Sequence, residues 1–125
     1  MVMRRTSILV VEDEVLISDM VADALLERGF DVHTEMSGEA ALRYLDTGPE
    51  VDVLFTDINL QGLMDGTTLA AAARERRPDL PVVYCSGRYS SSAVVPKVTR
   101  SVFVSKPYNL HEVCTLLSRM TGTSH

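Results

Sequence analysis

No run of apolar residues in this chain approaches the ~20 needed to cross a bilayer. The apolar stretch after the polar, basic segment Met1 to Ser7 is Ile8 to Val11, too short for the core of a secretion signal. These absences lead to the expectation of a soluble, cytoplasmic protein with no membrane insertion. Positive charge is scarce too: 12 Lys and Arg against 17 Asp and Glu give a net charge of −5. Affinity for a phosphate backbone comes mainly from clustered cations, so direct nucleic-acid binding is disfavoured. Cysteine is limited to Cys85 and Cys114, which have neither paired spacing nor metal-ligand companions and read as buried thiols in a reducing compartment. Internal repeats, linkers and low-complexity segments are missing as well. What remains is 125 residues, 46% hydrophobic, a size that matches one domain over 1–125 with a single core.

Apolar runs alternate with segments of helical period, the pattern of βαβ units and a parallel sheet. Ile8 to Val11 is uninterrupted, as expected of a central strand covered on both faces. A helix follows from about Glu14 to Arg28 and ends at Gly29, where a left-handed residue is commonly needed. Phe30 to Glu35 reads as a more polar strand nearer an edge. Ser37 reads as the N-cap of a short helix closed by Gly48-Pro49. Val51 to Phe55 is a third strand and leads through a loop to an Ala-rich helix from about Thr67 to Arg77. Val82 to Cys85 and Val102 to Ser105 are the last two strands, and a final helix starts after an Asn109 cap with Leu110, Val113, Leu117 and Met120 at helical spacing. Arg88 to Arg100 is poorly patterned and predicts a short or irregular fourth helix. The count fits a flavodoxin-like, doubly wound α/β fold, a five-stranded parallel sheet of order 2-1-3-4-5 with helices on both faces.

In such a sheet the strand ends converge on one crevice. Glu12 and Asp13 follow the first strand, Asp57 the third, Ser86 the fourth and Lys106 the fifth. A pair of acids before a helix also complements the helix dipole, but with Asp57 three acids would share the crevice and resist full ionisation unless a cation sits among them. Magnesium suits the place, because it binds through one or two carboxylates, waters and phosphate oxygens, and the backbone carbonyl of Asn59 lies close by in sequence as a further ligand. Asp57 is the preferred nucleophile, since a carboxylate accepts a phosphoryl group as an acyl phosphate. Lys106, a point cation opposite the acids, would balance their charge and then bind phosphoryl oxygen. The Ser86 hydroxyl would donate to the same group. Lys106-Pro107 is a candidate cis peptide against a base rate that favours trans.

Glu12-Asp13, Asp57, Ser86 and Lys106-Pro107, in this spacing, resemble the receiver domain of two-component response regulators, the CheY-like receivers, from about Ser7 to Met120. The resemblance implies that Glu12, Asp13 and Asp57 bind Mg2+ with the Asn59 carbonyl assisting, and that a sensor histidine kinase or histidine phosphotransfer protein phosphorylates Asp57. It also implies that Ser86 and Lys106 contact the phosphoryl group, and it puts Phe103 at the switch aromatic position. The chain would then be a phosphoacceptor that assists its own phosphorylation and dephosphorylation, read out by a downstream protein whose identity the sequence does not give. The docking surface implied is the first helix with the Pro107-Tyr108 loop.

Three departures stand out. The loop from Asn59 to Gly66 is longer than the commonest form and has Gln61 where proline is frequent. Tyr84-Cys85-Ser86-Gly87 is similar to the subgroup with Phe-Ala-Thr-Gly, whose fourth helix is degenerate. Phe103 therefore reads first as core, with Tyr89 as a rival switch aromatic. A receiver excised from a hybrid kinase or larger regulator fits the same residues. An aspartate-nucleophile phosphohydrolase does not fit well, because Asp57-Ile58-Asn59 lacks the second Asp that would act as general acid.

Overall fold

The computed structural model describes residues 4–87 and 98–122. In chain order the elements are β1 (Ser7–Val11), α1 (Val15–Glu27), β2 (Asp31–Glu35), α2 (Gly38–Asp46), β3 (Val53–Asp57), α3 (Gly66–Arg76), β4 (Val82–Ser86), β5 (Ser101–Ser105) and α4 (Leu110–Thr121). The strands form one sheet of order β2-β1-β3-β4-β5, and every neighbouring pair is parallel. This is the flavodoxin-like architecture expected from the sequence. Tyr89 and residues 88–97 of the segment expected to form an irregular fourth helix, Arg88 to Arg100, lie outside the described residues, and the described part, 98–100, is not helical.

Strand alternation divides the core in two. Ile8, Val10, Val53, Phe55, Val83 and Cys85 face α1 and α4, where Val21, Leu25, Val113 and Leu117 complete one buried cluster. The intervening Leu9, Val11, Leu54, Val82 and Tyr84 face α2 and α3 and pack on Ala41, Leu45, Leu69, Ala70 and Ala73. With helices on both sides, β1, β3 and β4 are buried almost end to end, whereas the edge strands β2 and β5 are partly exposed. Burying each Val or Leu stabilises the fold by ~1.5–3 kcal/mol, so uninterrupted apolar runs belong at these central positions. Both cysteines are free and buried, as expected.

Local chemistry sets the helix starts. Ser37 accepts from Ala40 N and Asn109 from Glu112 N, the two caps expected from the sequence. Asp65, expected within a loop, caps α3 by accepting from Thr68 N at 2.9 Å. Helix α1 has no side-chain cap at Glu14. Instead the Glu14 N–H donates to the Glu12 carboxylate at 3.2 Å, so a residue of the crevice also turns the chain into α1. Gly29, just past α1, has φ +90, as its place predicts.

The entry to β5 is tied to the body of the domain. Arg74 of α3 donates through Nε to Leu80 O and through Nη2 to Thr99 O, each at 2.5 Å. The Val98 N–H donates to the buried Tyr84 hydroxyl at 3.2 Å.

Gly66 opens α3 against the end of β3, with its N–H donating to Ile58 O at 2.8 Å. A Cβ at this position would lie 2.1 Å from Asp57 O. Gly66→Ala is therefore expected to destabilise the domain by about 1–3 kcal/mol, read as a lower urea midpoint at unchanged slope.

Candidate metal centre

Asp57 and Ser86 lie within the sheet rather than past it. Asp57 pairs with Cys85 in the ladder and Ser86 with Ser105, so backbone hydrogen bonding fixes where both side chains start. The Lys106 N–H continues the ladder by donating to Ser86 O at 2.9 Å, and the Lys106–Pro107 peptide is cis. Glu12 is held at the end of β1 by its N–H, which donates to Glu35 O at 3.1 Å.

These backbone placements bring the sequence-identified side chains together. Glu12, Asp13 and Asp57 each contribute an oxygen, and the three oxygens lie within 4.8 Å of one another. Glu12 and Asp57 are only 3% and 5% exposed. Lys106 Nζ donates to Glu12 Oε1 at 2.7 Å and to Asp57 Oδ2 at 3.2 Å. Asp13 Oδ2 accepts from Gln61 N at 2.9 Å, and Asp57 Oδ1 accepts from Asn59 N at 3.4 Å. Ser86 is fully buried, and its Oγ accepts from Asn59 Nδ2 at 2.8 Å. A cavity of about 570 Å³, lined by Asp13, Asp57, Asn59, Gln61, Asp65 and Lys106 among others, opens over the group. Phe103 stands apart, beside Tyr84 in the sheet and packed on the α2–α3 side of the core.

Burial is the largest influence on both enclosed acids. It pushes the Glu12 and Asp57 carboxyls above the usual carboxylate range, and the opposing pull of Lys106 does not reverse it. At Lys106 burial acts to lower the pKa but is outweighed by the Glu12 hydrogen bond and the charges of Asp57 and Glu12, so the ammonium is held above its ordinary value. Burial, aided by the Asp57 charge, drives the Cys85 thiol upward and keeps it neutral beside the acids. Among the described residues one ammonium meets three acids, which leaves negative charge uncompensated. The donors are all hard oxygens, and a divalent cation of the magnesium type matches that set better than a thiophilic metal does.

Two contributors were not singled out from the sequence. The Gln61 amide ties the β3–α3 loop to Asp13, and the Asn59 side chain engages Ser86. Neither follows from spacing, because both depend on how the loop folds back over the crevice. Asp65 was readable as a cap from its place before Gly66-Thr67-Thr68.

Residues 8–118 match the response regulator receiver domain family. The chain belongs to that family. This receiver is 33% identical over 118 residues to the sensor kinase CckA of Brucella abortus, an alignment covering 91% of this chain and 12% of CckA. It is 31% identical over 119 residues to the nitrogen assimilation regulatory protein NtrX of Azorhizobium caulinodans, covering 93% of this chain and 26% of NtrX. The receiver thus spans only a minor part of either relative. Among solved structures, a response regulator receiver protein from Sinorhizobium medicae superposes with a TM-score of 0.88 at 29% identity, covering 95% of this chain and 96% of that one. The receiver domain of the hybrid histidine kinase CckA superposes at 0.79 and 28% identity, covering 92% and 98%. Family membership makes this domain a phosphorylation-dependent switch of two-component signalling.

Because Glu12 and Asp57 have raised pKa values, the folded state binds more protons than the unfolded chain from the ordinary carboxylate range up to the raised values. Without divalent cation, the contribution of these two acids to stability is therefore fully present below that window and is lost as pH climbs through it. Asp57→Asn is expected to flatten this dependence and raise metal-free stability at neutral pH, read from urea midpoints across the pH range.

Proposed function

We propose that Asp57 accepts a phosphoryl group from the phosphohistidine of a sensor histidine kinase or a histidine phosphotransfer protein, and that the modified domain then binds a downstream protein differently. The observation that carries this reading is the meeting of three acids with Lys106 at the carboxyl edge of the sheet, with Ser86 linked to them through Asn59. A new Asp57 O–P bond forms as the donor N–P bond breaks, and the electron pair of the broken bond returns to the imidazole nitrogen. Glu12, Asp13 and Asp57, with the Asn59 carbonyl, would hold Mg2+, which when bound supplies charge neutralisation for the transferring phosphoryl oxygens. Lys106 keeps Asp57 aligned before transfer and meets phosphoryl oxygen after it. Ser86 donates its hydroxyl to the same group, drawing the end of β4 toward Asp57. Phosphorylation brings roughly −1.5 to −2 charge, and among the described residues these two donors are placed to receive it.

The chain acts in this reading as a stoichiometric acceptor, a single receiver domain in the cytoplasm. Among the described residues no helix is long and apolar enough to cross a membrane. The run Tyr84-Cys85-Ser86-Gly87 favours the Phe-Ala-Thr-Gly type of receiver. The small share of CckA that the chain spans also favours a setting inside a longer signalling protein.

The partner face lies beside the site. An apolar groove of about 420 Å³ is lined by Ile17, Met20, Val21, Pro107, Tyr108 and Leu110, with Lys106 at its edge. Leu16 and Met20 on α1 are 79% and 59% exposed. A helical surface carrying the phosphohistidine would cover them and deliver the phosphoryl group to Asp57.

Incubation with acetyl phosphate should load one phosphoryl group, dependent on Mg2+, stable to acid and labile to base, and Asp57→Asn should abolish it. Sustained turnover of a phosphoester would instead indicate a hydrolase. Met20→Lys should slow transfer from a phosphorylated kinase about tenfold or more, the loss of one well-packed contact, while leaving the acetyl phosphate reaction unchanged.

A further inference from the structure

Asn59 touches both halves of the crevice. Its backbone N–H donates to Asp57 Oδ1 at 3.4 Å, and its side-chain Nδ2 donates to Ser86 Oγ at 2.8 Å. Ser86 comes from β4, 27 residues further along the chain, and is wholly enclosed, so this contact joins the loop after Asp57 to the end of β4, one residue beyond the Cys85 that pairs with Asp57. A serine hydroxyl has one proton to give and two lone pairs to receive with, and its proton turns to suit its surroundings. With the Asn59 amide seated on a lone pair, the hydroxyl proton is directed away from Asn59. Accepting one hydrogen bond also polarises the O–H and strengthens the bond it donates.

We propose that the Asn59 carboxamide is a positioning residue that orients the Ser86 hydroxyl as a donor toward the phosphoryl group on Asp57. The inference rests on the phosphoacceptor reading of Asp57 and adds to it a residue whose effect passes entirely through Ser86. The Asn59 backbone keeps its separate contact with Asp57, so removing the side-chain amide leaves the acid and its main-chain donor in place. In this account the β3–α3 loop and the end of β4 are already joined before phosphorylation.

The test is a double-mutant cycle on the intact chain, using acetyl phosphate and Mg2+ as probes. Asn59→Leu is expected to slow phosphoryl loading of Asp57 about fivefold, the worth of one ordinary hydrogen bond. Asn59→Ser, a smaller change, should give a similar loss and guards against misfolding of the first variant. In a Ser86→Thr background, which keeps the hydroxyl, Asn59→Leu should cost the same factor. In a Ser86→Ala background it should cost less than twofold. Mg2+ affinity of the unphosphorylated protein should stay within twofold of the parent in Asn59→Leu. Equal losses with and without the Ser86 hydroxyl, or a tenfold fall in Mg2+ affinity, would overturn the proposal and assign Asn59 to direct phosphoryl or metal contact. Failure of the wild type to accept any phosphoryl group on Asp57 would instead bring down the underlying reading.

Discussion

The structure is organised around the enclosure of like charge. Glu12 and Asp57 are nearly removed from solvent, Asp13 reaches toward them, and Lys106 is the cation that holds two of the three. Removing an ionised carboxylate from water costs several kcal/mol unless it is paired and hydrogen-bonded. Each acid accordingly has at least one donor supplied by the surrounding backbone: Glu14 N for Glu12, Gln61 N for Asp13 and Asn59 N for Asp57. The arrangement is stable enough to form and still short of positive charge. That shortage is the physical ground on which a divalent ion and, with it, a phosphoryl group are proposed for the crevice.

The parallel sheet is the means by which this enclosure is built. Each strand carries its last residue to the same edge, and the ladder fixes those residues against one another in register, Asp57 beside Cys85 and Ser86 beside Ser105. The apolar alternation that separates the α1–α4 face from the α2–α3 face thus has two results. It gives the domain its core, and it keeps the polar strand ends from sliding by a residue, because a slip would turn every core side chain to the wrong face.

Much of this was legible in the residues. Ile8 to Val11 is a central strand because nothing polar interrupts it, and the acids after it could only lie at the sheet edge. Ser37 and Asn109 announced two helices through their caps. Asp57, Ser86 and Lys106 were recognisable because a strand delivers each one. The loop contributions were not, since Gln61 and Asn59 act through contacts made only after the β3–α3 segment has folded back, and no periodicity encodes that return. The start of α1 was placed one residue early because its turn is made by Glu12 rather than by a capping side chain.

Strand β5 is held very differently at its two ends. Where it begins, Arg74 fastens Thr99 and the Tyr84 hydroxyl fastens Val98, both to parts of the domain remote from the acids. Where it finishes, Lys106 reaches into the crevice through a flexible side chain. Between these ends the β4 ladder grips the strand along its whole length, the Lys106 N–H on Ser86 O included, so any force applied to the ammonium is handed to the tip of β4 together with that of β5.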